Sequence, residues 1–208
     1  MAKTALILPA AGKSTRFEGN KLLARLNDET LIERVVRTAL NSKTNLVILV
    51  TGFEADKIRE ALSRIRDTRL RIIYNPDYEL GLSFSGKAGV RAAAEWGADA
   101  YIILPADVAF IESRDIDRVI EKYLETGAEI VVASHRGRHG HPILFSSKLL
   151  GELLQIGEET RGLKAVVERH RGSAVAVEGS IFTVRDIDTR RDLEECLRLL
   201  RDASASRL

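Results

Sequence analysis

The sequence predicts an α/β fold built on a mostly parallel central sheet covered by helices on both faces. Three observations predict it. Short apolar runs alternate with longer stretches of helical period along most of the chain. Runs such as Asn45 to Val50 are apolar at nearly every position, as strands are when both faces of the sheet are covered. With 208 residues and 45% hydrophobic content, the chain can also bury a full core as one domain.

Ala5 to Pro9 reads as the first strand and Leu31 to Leu40 as the first helix. Thr30, followed at the third position by Glu33, forms a capping box in which each side chain satisfies a free backbone N–H at the helix start. Asn45 to Val50 is a second strand, Glu54 to Ile65 a helix, Arg71 to Tyr74 a strand and Gly86 to Trp96 a helix. Ala100 to Leu104 and Arg114 to Glu125 then read as strand and helix. This alternation implies right-handed crossovers, and such sheets bind ligands at the carboxyl ends of their strands. From Glu129 the pattern becomes strand, polar turn at His135 to His141, strand, two helical stretches, a strand and a final helix. No linker or repeat sets this half apart, so it is read as part of the same domain, with a frayed tail over Ala203 to Leu208.

Lys and Arg total 32 against 30 Asp and Glu, a net charge of +2. That balance gives no global field for nucleic acid or a membrane surface, so neither is expected as a partner and any anion must be bound locally. No run approaches the ~20 apolar residues of a membrane span. Cys196 is the single cysteine, which excludes an intrachain disulfide; a cytoplasmic setting and a helix-packing role are expected.

The loop after the first strand carries the most chemistry. It reads Leu8-Pro9-Ala10-Ala11-Gly12-Lys13-Ser14-Thr15-Arg16-Phe17 and then Asn20-Lys21-Leu22-Leu23. Small residues let the backbone approach a ligand, and successive N–H groups in such a turn make an anion-binding concavity. Arg16 can fork onto two oxygens and Lys21 can supply a mobile charge, which together suit a polyphosphate. A Walker A loop needs glycine where Ile7 stands, and Gly12 lacks both partner glycines of the dinucleotide fingerprint. Asp107 ends the Leu104-Pro105-Ala106-Asp107 segment, where a strand stops and a ligand crevice opens, a place for a hard oxygen ligand. Arg136 to Phe145 is basic and glycine-bent, suited to an anionic partner. His135, His139 and His141 lie there without a neighbouring Cys or acid to complete a transition-metal site.

These segments resemble the MobA-like nucleotidyltransferase family, and within it the molybdenum cofactor cytidylyltransferases, over nearly the whole chain. The family's opening Leu-Ala-Ala-Gly-x-Ser-x-Arg-Met-Gly loop ends in Asn-Lys-Leu-Leu; here Phe17-Glu18 replaces Met-Gly while Arg16 and Lys21 stay in register. Asn75-Pro76-Asp77-Tyr78 and Gly81-Leu82-Ser83-Phe84-Ser85 resemble the family's nucleoside-pocket segment. Val108-Ala109 stands where the family's Asp-Gln-Pro has Gln-Pro. Arg138-His139-Gly140-His141-Pro142 is similar to its Arg-Gly-His-Pro run near the acceptor, and Asp186-Ile187-Asp188-Thr189 to its Asp-Ile-Asp-Thr.

The resemblance implies a Rossmann-like nucleotidyltransferase fold over residues 1–208, with an NTP-binding part at about 1–110 and an acceptor-binding part at about 111–208. It implies transfer of CMP from CTP to the terminal phosphate of the molybdenum cofactor, with Mg²⁺ as cofactor and a molybdoenzyme or its maturation chaperone as partner. The implied nucleotide site comprises Leu8, Ala10, Ala11, Gly12, Lys13, Ser14, Arg16, Lys21, Asn75, Gly81, Ser83 and Ser85, with Arg16, Lys21 and Asp107 catalytic. Asp107 and Asp188 would hold the metal, and Arg138, Gly140, His141 and Pro142 the acceptor. Two alternatives stay open from the residues alone: Ser83 and Ser85 may serve as helix caps, and so may Asp188 or Thr189. Ala10-Ala11 is the cytidylyl form where guanylyltransferases carry Gly-Gly, and an Ala11 methyl narrowing the base site would favour a pyrimidine. A guanylyltransferase, a sugar-phosphate or methylerythritol-phosphate transferase, and a non-enzymatic cofactor carrier are the competing readings.

Overall fold

The first strand, β1 (Thr4–Ala10), is buried at every residue. Its alternate side chains face opposite ways, as strand geometry requires: Leu6 and Leu8 enter one core, Ala5 and Ile7 the other. This is why its sequence is apolar without alternation. The computed structural model describes residues 2–157, 159 and 162–205. A short hairpin, β2 (Arg25–Leu26) with β3 (Glu29–Thr30), leads to α1 (Leu31–Leu40), and the Thr30–Glu33 capping box forms as expected. Then come β4 (Leu46–Thr51), α2 (Ala55–Ala61), β5 (Leu70–Tyr74), α3 (Leu82–Glu95), β6 (Ala100–Ile103) and α4 (Ser113–Thr126). The remainder is β7 (Ile130–His135), β8 (Arg138–Ser146), α5 (Leu150–Leu153), α6 (Gly162–Arg169), β9 (Val175–Glu178) and α7 (Arg190–Ala205).

One seven-stranded sheet runs in the order β5-β4-β1-β6-β8-β7-β9, so both halves of the chain contribute to it. Every neighbouring pair is parallel except those of β8, which runs against β6 and β7. One face packs on residues of α1, α4 and α7, the other on α3, α5 and α6. The expected doubly covered, mostly parallel sheet is therefore observed. Against β1, α3 sits so close that a Cβ on Gly89 would lie 2.3 Å from Ile7 Cγ2. Cys196 is buried in the α7 interface, where burial pushes its thiol pKa up to about 11, consistent with packing. Among the described residues no helix is long and apolar enough to cross a membrane.

Three expectations are corrected. Helix α3 starts at Leu82, four residues before Gly86, with Gly81 at φ 122° as its N-cap; Ser83 and Ser85 lie inside the helix and do not cap it. The polar turn is only Arg136-Gly137, both in left-handed backbone, and His139, Gly140 and His141 belong to β8. Gly140 and Pro142 read as strand breakers, yet a register shift between Val132 and Ser134 lets the ladder accommodate them. Helix α2 ends at Ala61 and is shorter than expected. Ala203 to Ala205 remain helical, and residues 206–208 of the expected frayed tail lie outside the described residues.

Asp115 is fully buried near the start of α4 and ties it to the segment after β9. Its carboxylate accepts from Ser180 N at 2.8 Å, Ser180 Oγ at 2.6 Å and Glu112 N at 3.2 Å. Asp115→Ala would strand three donors, at a cost on the order of 3 kcal/mol. Urea unfolding should register that loss, and a midpoint unchanged from wild type would show that the tie is dispensable.

Candidate active site

The loop leaving β1 curls back at Ser14, which holds a left-handed φ of 54° that a non-glycine residue rarely adopts. Phe17 N donates to Ser14 O at 2.8 Å and closes the turn. The Ser14 hydroxyl is buried and has no hydrogen-bond partner among the described residues. Nothing lies within 4 Å of a Cβ built on Gly12, so the backbone there is open to an approaching group. Beneath the loop is a cavity of about 180 Å³, lined by Ala10, Gly12, Ser14, Arg16 and Lys21 and, opposite, by Asp107 and Asp188. Phe17 and Glu18, the departures from the resembled motif, both engage α7: the Arg190 guanidinium lies over the Phe17 ring and its Nε is 3.2 Å from Glu18.

Asp107 follows β6, and its carbonyl accepts from Ile187 N at 3.1 Å, which brings the segment carrying Asp188 to the strand end. Thr189 and Asp192 form the reciprocal cap of α7, with Asp192 also accepting from Asp188 N at 3.1 Å. The helix cap is therefore Thr189, and the Asp188 carboxylate is left to face the cavity. Lys21 Nζ stands between the two acids, 2.7 Å from Asp107 Oδ2 and 3.1 Å from Asp188 Oδ1, while Arg16 Nη2 reaches Asp188 Oδ2 at 2.8 Å. Burial opposes the Lys21 charge, but Asp107 and Asp188 outweigh it and hold its pKa above the ordinary lysine value.

This pair of acids suits a divalent cation. Asp107 Oδ1 is buried without a partner, and the lysine ammonium already fills the cationic position between the carboxylates. No group of three potential metal-ligating side chains occurs among the described residues. Two carboxylates match an ion that takes its remaining ligands from water and phosphate oxygens, as Mg²⁺ does. Of the histidines near the turn, His135 places its Nδ1 3.0 Å from Gly179 O.

A second cavity, of about 950 Å³, opens on the other side of Asp107. Pro9, Leu82, Pro105 and Asp107 line both. Arg138, Gly140 and His141 line the larger one, together with Ser83. Gly140 is required here, since a Cβ would lie 2.0 Å from Thr183 O. Burial lowers the His141 pKa below the usual imidazole value against the fields of Asp107 and Asp186, which favours the neutral ring.

Several residues implied by the resemblance fall outside both cavities. Leu8 and Pro142 are buried within the fold. The Ala11 methyl is buried against Gly52, where a Cβ would come within 2.7 Å of it, so it does not narrow an open space as expected. Asn75 Nδ2 donates to Ser85 Oγ at 3.1 Å, and this buried pair anchors the approach to Gly81. Lys13 pairs with Glu79 at 2.6 Å on the surface. Sequence reasoning missed Leu82, shared by both cavities, and Asp186, Lys164 and Arg171 in the larger one. Lys164 lies on α6 and Arg171 in the turn after it, so no single helical period links the last two.

A parallel sheet with an anion-receptive loop, two converging acids and adjoining clefts is a nucleotidyltransferase arrangement. The chain belongs to the MobA-like NTP transferase family, whose domain model matches residues 5–175. It is 30% identical over 186 residues to the molybdenum cofactor cytidylyltransferase of Escherichia coli K12, covering 89% of this chain and 91% of that protein. A nucleotidyl transferase from Methanothermobacter thermautotrophicus superposes with a TM-score of 0.78 at 25% identity, covering 95% of this chain and 99% of that one. A Mycobacterium tuberculosis protein solved as a complex with manganese has the same fold, with a TM-score of 0.69 at 23% identity over 95% of this chain and 99% of that one.

A divalent cation held by Asp107 and Asp188 would compete with the Lys21 ammonium that lies between them. In Lys21→Met, Mn²⁺ should bind without nucleotide roughly tenfold more tightly than in wild type, because a nearby positive charge is gone. Asp107→Asn should remove that gain. Electron paramagnetic resonance of free Mn²⁺ measures both, and equal affinities in wild type and Lys21→Met would exclude the competition.

Proposed function

We propose that this protein transfers CMP from CTP to the terminal phosphate of the molybdenum cofactor and releases pyrophosphate. The observation that carries the reading is the wall shared by the two cavities: a nucleotide in the smaller cleft and an acceptor in the larger one would meet at Asp107. The choice of CTP rests on the cytidylyltransferase that is 30% identical to this chain over 186 residues, and not on the space beside Ala11. Residues up to about 110 would mainly hold the nucleotide and those from about 111 the acceptor, in the cytoplasm, with the product passed to a molybdoenzyme or its maturation chaperone.

An oxygen of the acceptor phosphate attacks the α-phosphorus, a new P–O bond forms, and the bond to the bridging oxygen of the β-phosphate breaks. No protein nucleophile is needed, and the attacking phosphate is already ionised at neutral pH. The difficulty is bringing two anions together, and fixed cations and alignment answer it. Arg16 and Lys21, now paired with Asp188 and Asp107, would turn to the β- and γ-phosphates and stabilise the charge that leaves with them. The open backbone at Gly12 and the unpartnered Ser14 hydroxyl would receive phosphate oxygens. Asp107 and Asp188 would hold Mg²⁺, which would supply further charge neutralisation. His141, kept neutral, adds no charge beside the attacking oxygen.

Pyrophosphate release with molybdenum cofactor and each common NTP tests the reaction. CTP should be used in strong preference to GTP and ATP, and equal kcat/KM for CTP and GTP would defeat the base assignment. Asp107→Ala should lower kcat by on the order of a hundredfold or more while leaving the unfolding midpoint near wild type. Arg16→Ala should lower kcat/KM for CTP, and near-normal turnover in either variant would move the chemistry elsewhere.

A further inference from the structure

The floor of the larger cavity is one row across the sheet. Ile103 on β6 pairs with Ile143 on β8, Ile143 with Val132 on β7, and Val132 with Ala176 on β9. All four line the cavity. Asp107 lies just beyond the β6 end of this row, and β9 begins at its other end. Three strand spacings separate those ends, roughly 14 Å. The cavity is thus a trough with an aliphatic floor, long enough for more than a phosphate group.

Helix α6 forms a wall of this trough near β9. Its Val166 is buried in the core, while Lys164 and Val167 on the helix and Arg171 in the turn after it line the cavity. Neither Lys164 nor Arg171 is paired among the described residues. The adjacent basic residues are already used, since Arg169 and His170 both bind Glu152 at 2.8 Å. Glu168, the acid that also lines the trough, is engaged as well. Two unpaired cations therefore face the cavity that Asp107 also lines.

We propose that Lys164 and Arg171 form a second anion subsite, which binds a charged group of the acceptor other than the reacting phosphate at Asp107. The acceptor class is an anion that carries a second negative group apart from its reacting phosphate, with a body lying over Ile103, Ile143 and Val132. The subsite extends the proposed transfer to the molybdenum cofactor and rests on it. It assigns to α6 and the turn after it a part in acceptor selection beside that of the basic strand Arg138 to His141, which lines the same cavity.

The test is double charge reversal, Lys164→Glu with Arg171→Glu, at exposed positions where the fold should tolerate it. Metal-free molybdopterin is the probe, its binding followed by its own fluorescence, alongside steady-state kinetics with CTP. Its Kd and the acceptor KM should rise at least tenfold, with the CTP KM and the kcat at saturating acceptor within twofold of wild type. Arg171→Lys should keep most of the affinity. An unchanged Kd in the reversed protein, or an equal loss of CTP binding, overturns the subsite. Wild-type protein that binds molybdopterin through these residues but releases no pyrophosphate leaves the subsite standing and defeats the transfer reading. Wild-type protein that does not bind molybdopterin overturns both.

Discussion

The Lys21 ammonium between Asp107 and Asp188 is the contact on which the site's arrangement depends. It joins three stretches that are remote in sequence: the loop after β1, the end of β6 and the lead into α7. Two acids drawn together would repel without a cation, and the lysine supplies one at hydrogen-bond distance from each. The rest of the fold works to bring these groups to one place. Parallel β1 and β6 are neighbours, so the loop and Asp107 leave the sheet at the same edge. The Ile187–Asp107 backbone bond and the Thr189–Asp192 cap then set Asp188 opposite them.

That arrangement gives the site two electrostatic states. With no phosphate nearby, its cations and acids satisfy one another. Under the proposed function, a polyphosphate would offer Arg16 and Lys21 competing oxygens and would free the acids to share a divalent ion. The same side chains can therefore stabilise the empty site and the loaded one, and no new charge has to be carried in by the protein. The unpartnered oxygens of Asp107 and Ser14 mark where that internal satisfaction is incomplete.

Much of this was legible in the sequence because it is local. A strand's apolar run, the small-residue loop after it and the Asp at the next strand end are each read from a few adjacent residues, and Lys21, Arg16 and Asp107 do converge. The errors arose where a distant neighbour decides. Gly140 reads as a turn residue until the Thr183 carbonyl is seen to occupy the space of its Cβ. Ser83 and Ser85 read as caps, but the helix starts earlier at Gly81, and Ser85 is bound to Asn75 from another segment. Ala11 looked open to a base, yet it packs on Gly52. Lys164 and Arg171 gain meaning only once β9 is known to lie beside β7, a pairing that no local pattern reveals.

The reversed direction of β8 bears on how such a site can diverge. Because β8 enters the sheet at the edge where β6 leaves it, Arg138, His139 and His141 reach the larger cavity from a hydrogen-bonded strand and not from a free loop. Their spacing is fixed by the ladder. Substitution at these positions can retune the wall one side chain at a time, whereas an insertion within the strand would slip the register and turn alternate residues to the opposite face. Lengthening is tolerated only at the Arg136-Gly137 tip, beyond the paired residues. Across relatives that keep this topology, acceptor preference on this side should drift by exchange of residues at constant length, while length variation gathers at the hairpin tip.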